Sequence, residues 1–167
     1  MNGISKVLLT LLVLPAIGMA DCEPVPPRCY HTKLGALEQV SLAHSDDDYS
    51  HLTLNGVEIY KAKTSYMTFV YDDAVFFKNK KYLVTKTIAS YALNEFCTNK
   101  EYYGGHCSQS IFLDLSGDKP VISNTFTPDS GNSLIDWVSW GQKNAIIVFE
   151  DGSKFKYMNG HVERVTK

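Results

Sequence analysis

The chain has 167 residues, with 16 Lys and Arg against 18 Asp and Glu, a net charge of −2 and four cysteines. A nearly neutral balance with acids and bases intermixed offers no basic surface for nucleic acid. No stretch reaches the roughly 20 apolar residues that a bilayer-spanning helix needs, so no membrane insertion is expected.

The first 20 residues have the three parts of a secretory signal: Lys6, the apolar run Val7 to Leu14, then Pro15 and the small-residue site Gly18-Met19-Ala20. Cleavage after Ala20 is expected, which places the product in the periplasm, or outside the cell in an organism without one. Asp21 stands where lipid attachment to Cys22 would want a small residue, which argues against a lipoprotein. Residues 21–167 are 147 in number, the size of one β-rich domain with a real core.

An even set of cysteines in an exported chain points to disulfides. Three pairings of Cys22, Cys29, Cys97 and Cys107 are open. The local one, Cys22 with Cys29 and Cys97 with Cys107, is preferred because it requires no distant strands to meet. Each such loop would contribute roughly 2 to 3 kcal/mol. Neither spacing is the C-x2-4-C of a zinc site, and no metal or other cofactor is expected.

In chain order, Asp21 to Arg28 is a proline-rich arm. Lys33 to His44 places Leu34, Leu37 and Val40 at a spacing of three, which suits a short helix, while Val40 to Ala43 reads equally as a strand. His44 to His51, HSDDDYSH, is an acidic surface loop. Leu52 to Lys63 forms a hairpin about Asn55-Gly56, and a strand over Tyr66 to Tyr71 ends at the Asp72-Asp73 turn. Ala74 to Lys78 and Lys81 to Ile88 flank Asn79-Lys80.

Ala89 to Phe96 permits a single helical turn leading into Cys97 to Cys107, CTNKEYYGGHC, a loop with no regular element. Ser110 to Leu115 and Pro120 to Phe126 form a hairpin about Ser116-Gly117-Asp118, and Thr127 to Ser133 is an exposed connection. Leu134 to Val165 is a four-strand meander with turns at Gly141 to Asn144, Asp151-Gly152 and Asn159-Gly160. Within it, Ala145 to Phe149 is an unbroken apolar run that reads as a strand buried on both faces.

Turn signals every 8 to 12 residues predict an all-β fold of about ten strands in antiparallel meanders. A partial propeller-like stack, a sandwich or a barrel would satisfy the pattern, with at most one or two short helices. The similarity of AVFFKNKKYLV to AIIVFEDGSKFKY suggests equivalent hairpins in separate sheets. Trp137, Trp140, Ile146, Ile147, Val148, Phe149, Phe155 and Tyr157 are the expected core. Lysines 78, 80, 81, 86, 154 and 156 alternate with aromatics, as solvent-facing strand positions do.

Few residues offer chemistry. His44, Asp46, Asp47, Asp48 and His51 could together hold a divalent cation, but counting from Asp46 the EF-hand glycine falls on His51 and the closing glutamate on Val57. A solvated acidic loop is the simpler reading. His106, beside Gly104-Gly105, would need a nucleophile and an orienting acid to serve as a catalytic base. Asp129-Ser130-Gly131 lacks the flanking glycines of a serine nucleophile, and no G-x-S-x-G occurs. Tyr102 and Tyr103, on a loop expected to be closed by a disulfide, instead suggest a contact surface, since tyrosine gives large amphipathic area at small entropic cost.

A signal peptide, a β-rich domain of this size, two local disulfides, acidic loops and no catalytic constellation together resemble the periplasmic immunity and inhibitor proteins of Gram-negative bacteria, including those that neutralise type VI secretion effectors attacking the cell wall. The inhibitory Ser-Gly-x-x-Tyr loop of lysozyme inhibitors is absent, because Ser116-Gly117 and Ser130-Gly131 continue differently. The resemblance implies a non-enzymatic protein that plugs the active site of a toxic partner enzyme. Contacts are expected from Tyr102, Tyr103 and His106, from Asp129 and Asn132, and from Asp46, Asp47 and Asp48. The alternatives are a periplasmic hydrolase using His106 or the His44 to His51 loop, and a β protein that binds a small ligand.

Overall fold

The computed structural model describes residues 29–41, 44–71, 84–96 and 106–166. The signal sequence, the proline-rich arm, most of the Ala74 to Ile88 hairpin, and Tyr102 and Tyr103 lie outside these residues. The described chain is all-β and contains twelve strands in three four-stranded antiparallel sheets, with no closed barrel. Every sheet is a meander of strands consecutive in sequence.

Sheet 1 holds β1 (Cys29–Thr32), β2 (Gly35–Val40), β3 (Ser50–Leu54) and β4 (Val57–Ala62). Sheet 2 holds β5 (Thr68–Tyr71), β6 (Lys86–Phe96), β7 (His106–Asp114) and β8 (Val121–Ile122). Sheet 3 holds β9 (Ile135–Trp140), β10 (Asn144–Phe149), β11 (Lys154–Met158) and β12 (His161–Arg164).

The hairpin signals have the backbone they require. Asn55 and Gly56 take φ of 53° and 76°, and Asn159 and Gly160 take 52° and 85°, the pair of left-handed residues of a two-residue turn. The residues of Lys33 to His44 that suited a helix form strand β2 instead, because Leu37 and Gln39, two apart, both turn inward; of the alternative strand Val40 to Ala43 only Val40 belongs to it, and residues 42 and 43 lie outside the described residues. The helical turn considered for Ala89 to Phe96 does not form. Those residues extend β6, which pairs with β7 from Lys86↔Asp114 to Ala92↔Ser108, and these long-range bonds override local helix preference.

Sheet 2 is the middle layer, because its inner strands alternate apolar residues to opposite sides. Ala89, Tyr91, Ile111 and Leu113 pack with Leu37, Leu52 and Met67 of the sheet 1 side. Ile88 and Phe112 pack with Ala145, Ile147, Phe155 and Tyr157 of sheet 3. Phe112 stacks on Tyr157 at 3.8 Å between ring centroids, with 10° between planes. The buried Lys86 also crosses to sheet 3, where its Nζ donates to the carbonyls of Gly141 and Gln142. Lys86 is therefore no solvent-facing strand lysine.

Of the expected core, Ile147, Val148, Phe149, Phe155 and Tyr157 are buried, whereas Ile146 and Trp140 are half-buried. Trp137 is a correction, being 48% exposed. Residues three apart on a strand face opposite ways, so Trp137 and Trp140 cannot share a side. Trp140 faces the Phe112 ring at 5.7 Å, while Trp137, opposite Val148, turns outward on the terminal strand of sheet 3.

Candidate functional site

One end of the stack gathers the segments that the sequence nominates. Ser50 Oγ, at the start of β3, donates to the Thr64 carbonyl at 2.7 Å, and Thr64 Oγ1 donates to the Ala92 carbonyl of β6 at 2.6 Å. Ala92 pairs with Ser108 of β7, whose N–H donates to the carbonyl of Gly131 at 2.7 Å. This row of contacts runs from sheet 1 across sheet 2 to the connection that leads into sheet 3. The acidic loop immediately precedes Ser50, and the Thr127 to Ser133 connection lies against Ser108. β6 and β7 also lead to residues 97–105 from this end.

The acidic loop is held from below. His51 directs Nε2 at Asp47 Oδ1 (2.7 Å) and Nδ1 at Glu58 Oε2 (2.5 Å). Ionised carboxylates only accept, so the arrangement favours the imidazolium form, in which both ring nitrogens donate. Hydrogen bonding to Asp47 first, then to Glu58, raises the His51 pKa, and the bond from His51 correspondingly lowers that of Asp47. Tyr49 N–H donates to Asp47 Oδ1 at 3.1 Å, and Lys61 Nζ sits 3.8 Å from Asp47 Oδ2 and 4.9 Å over the Tyr49 ring. Asp46, Asp47 and Asp48 remain exposed around this clamp.

Glu58 and Lys61 escaped the sequence reading, although a signal existed. A two-residue turn at Asn55-Gly56 pairs Thr53 with Glu58, as observed, which brings Glu58 diagonally beside His51 on the same face. Asp47 and Glu58 occupy opposite nitrogens of His51 and so do not converge on one point. Among the described residues, no three His, Cys, Asp or Glu side chains are arranged to hold a metal.

The second loop is tied at several points. Asp129 pairs with Arg164 of β12, and Asp151, in the β10–β11 turn, accepts the Ser130 N–H at 2.7 Å. The other Asp151 oxygen accepts the Ser153 N–H at 2.9 Å and its hydroxyl at 2.6 Å. Partial burial pulls the Asp151 carboxyl upward, but the bonds from Ser153 and Ser130 outweigh it and lower its pKa to about 2. Asn132 is exposed at the tip. The sequence marks Asp151 only as a turn residue, and nothing in it marks Arg164 as a partner of Asp129.

His106 is the first residue of β7, paired with Phe96, so it begins a strand and does not sit in an irregular loop. Its side chain and residues 97–105 are outside the described set, as are Cys22 and Cys97. Among the described residues no cysteine is free. No helix among them is long and apolar enough to cross a membrane.

What this end of the molecule offers is a set of pre-formed acidic loops on a rigid base. Comparison with known proteins adds no family: no protein-family model matches the chain, and neither curated proteins nor solved structures give a significant match.

Proposed function

We propose that this chain is an exported recognition protein that blocks the active site of a toxic enzyme, in the manner of a periplasmic immunity protein. The observation that carries the reading is the clamping of the Asp46 to Asp48 loop by His51, which donates to Asp47 and Glu58 at once. A loop ordered before binding loses little entropy on docking. Three exposed carboxylates on it favour fast, steered association with an enzyme whose active-site rim is cationic. The Asp129 to Asn132 loop, pinned by Arg164 and Asp151, adds a second rigid contact at the same end. Two local disulfides, Cys22 with Cys29 and Cys97 with Cys107, belong to the same proposal, the latter closing a contact loop that carries Tyr102 and Tyr103.

A hydrolase using His51 draws less support. A general base needs a nitrogen lone pair facing substrate, and both His51 nitrogens are committed as donors to carboxylates.

The test is co-expression in the periplasm with toxic enzymes encoded beside this gene, followed by capture of partners from the periplasmic fraction. Protection from one enzyme, with a stable complex, is the expected result. Replacing Asp46, Asp47 and Asp48 by Lys should slow association at least tenfold at low salt and weaken protection. Absence of both protection and any tight protein partner would sink the proposal.

A further inference from the structure

Between sheets 2 and 3, at the same end, lies a cleft of about 380 Å³. Sheet 3 covers Ile88 and Phe112 of the middle layer but leaves the next residues of that face, Ser90, Ala92, Ser108 and Ser110, lining an opening. Thr68 and Val70 of β5 extend the floor, and Ser133 to Ile135 form the opposite wall. Tyr66 and Leu134, which also line it, are 62% and 67% exposed, far more than large apolar side chains usually are. We propose that this cleft is a binding site for an uncharged sugar of one or two residues, a site that borders the Thr127 to Ser133 connection but is independent of the blocking function.

Three features select that chemistry. No lining residue is charged, so an anion would find no cation and a cation no carboxylate to offset its lost hydration in the cleft. Five serine and threonine side chains line the site; Ser110 is fully buried, while Thr68, Ser90, Ser108 and Ser133 reach solvent, and a wholly apolar ligand would strip water from these four without replacing its bonds. The buried Ser110 shares a hydrogen bond with Ser90 at 2.8 Å, which fixes the Ser90 oxygen from behind while leaving it further capacity toward the cleft.

Third, the floor is the face of interior strands. β6 and β7 spend their backbone groups on each other, β6 also on β5, and β7 at Ser108 and Ser110 on Gly131 and Phe126, so side-chain hydroxyls, not main-chain N–H and C=O groups, are what the floor presents. An extended peptide wants a free strand edge. A pyranose suits this surface better, with hydroxyls around its rim for the serines and a C–H face for the Tyr66 ring. The volume lies at the small end of the ligand-pocket range, which fits a sugar of this size.

The experiment is amide-resolved NMR on the folded, exported chain, titrated with glucose, N-acetylglucosamine and their β-1,4-linked disaccharides to about 50 mM, where even a weak site shows. Glucuronate, glucosamine and a capped trialanine serve as comparisons. Saturable shifts at Ser90, Ser108, Ser110 and Leu134 with neutral sugars alone are expected. Ala92→Trp, which fills the cleft from an exposed strand position, should reduce affinity at least tenfold, and Tyr66→Ala several-fold. Should Ala92→Trp fail to fold, Tyr66→Ala and the ligand comparison still decide. No saturable shift, equal response to charged sugars, a response to the peptide alone, or affinity unchanged in the folded variants would each overturn the proposal.

Discussion

Thr64 donates its hydroxyl to the carbonyl of Ala92 at 2.6 Å, and this bond fastens the end of sheet 1 to the longest strand of sheet 2. Thr64 is itself buried. Thr64→Val keeps the shape and removes the donor, leaving a carbonyl acceptor without that partner. A loss of about 1 to 2 kcal/mol is expected, measured by urea unfolding. Unchanged stability would show that the bond adds nothing to the layer contact.

The His51 clamp predicts a defined pH dependence. The folded-state pKa of His51 is raised, by its bond to Asp47 and then Glu58, so its contribution is complete below the unfolded value and fades as pH rises through the folded value. Asp47 has the opposite sign: its pKa is lowered, so its contribution is complete above the unfolded value and is lost as pH falls through the folded one. Thermal midpoints should therefore decline on the alkaline side in the wild type and decline less in His51→Gln. Identical profiles in the two proteins would exclude His51 as the cause.

Lys86 predicts a cost for neutralisation inside the stack. Its ammonium is buried and bonded to the Gly141 and Gln142 carbonyls, the latter at 2.8 Å. Lys86→Met removes the desolvation penalty of the charge as well as the bonds, so the net loss should be about 1 to 3 kcal/mol. Guanidinium titration of the purified variant gives the value. A more stable variant would mean that burying the charge costs more than its two bonds return.

Gly35 should tolerate no side chain. Its φ is +120°, and an added Cβ would fall 1.9 Å from Asn55 Oδ1, the atom that accepts the Ala36 N–H at 3.0 Å. Gly35→Ala is expected to cost about 2 to 3 kcal/mol through strain and loss of that bond. Asn55→Ala, which removes the obstacle, should make the further Gly35→Ala change less costly, as a double-mutant cycle would show.

The two tryptophans should be separable by fluorescence. With Trp140 replaced by Phe, the remaining Trp137, 48% exposed, should emit at long wavelength and be quenched readily by acrylamide. Trp137→Ser should cost under about 1 kcal/mol, whereas Phe112→Ala in the layer contact should cost about 3 to 5. A blue-shifted, protected Trp137 would contradict its outward position.

The strands of sheet 3 were legible in the sequence because each turn there depends on local chemistry, such as Asn159-Gly160 with both residues at positive φ. The side that each strand buries was less legible. Asp136 is the extra residue where Phe149 pairs with Ile135 and Val148 with Trp137, and such an irregularity changes which residues face inward without altering composition. β6 was obscured for a different reason: Ala, Leu and Glu favour helix in isolation, and only pairing with β7 makes them extended. The acidic loop could be found as a cluster, but its function as a clamped loop depends on Glu58 from the following strand. The cleft gave no signal, since Ser90, Ser108 and Ser110 resemble ordinary polar strand positions until sheet 3 stops short of them.

Because each sheet is one continuous stretch of chain, the layers can form locally and then dock, a low-cost order of events for a β protein. The last layer, β9 to β12, is also the last part of these described residues to be synthesised. Until it arrives, Ile88 and Phe112 keep one side of the middle layer uncovered. A chain that waits for its final meander therefore carries an open apolar face, and that is the stage at which aggregation is to be expected.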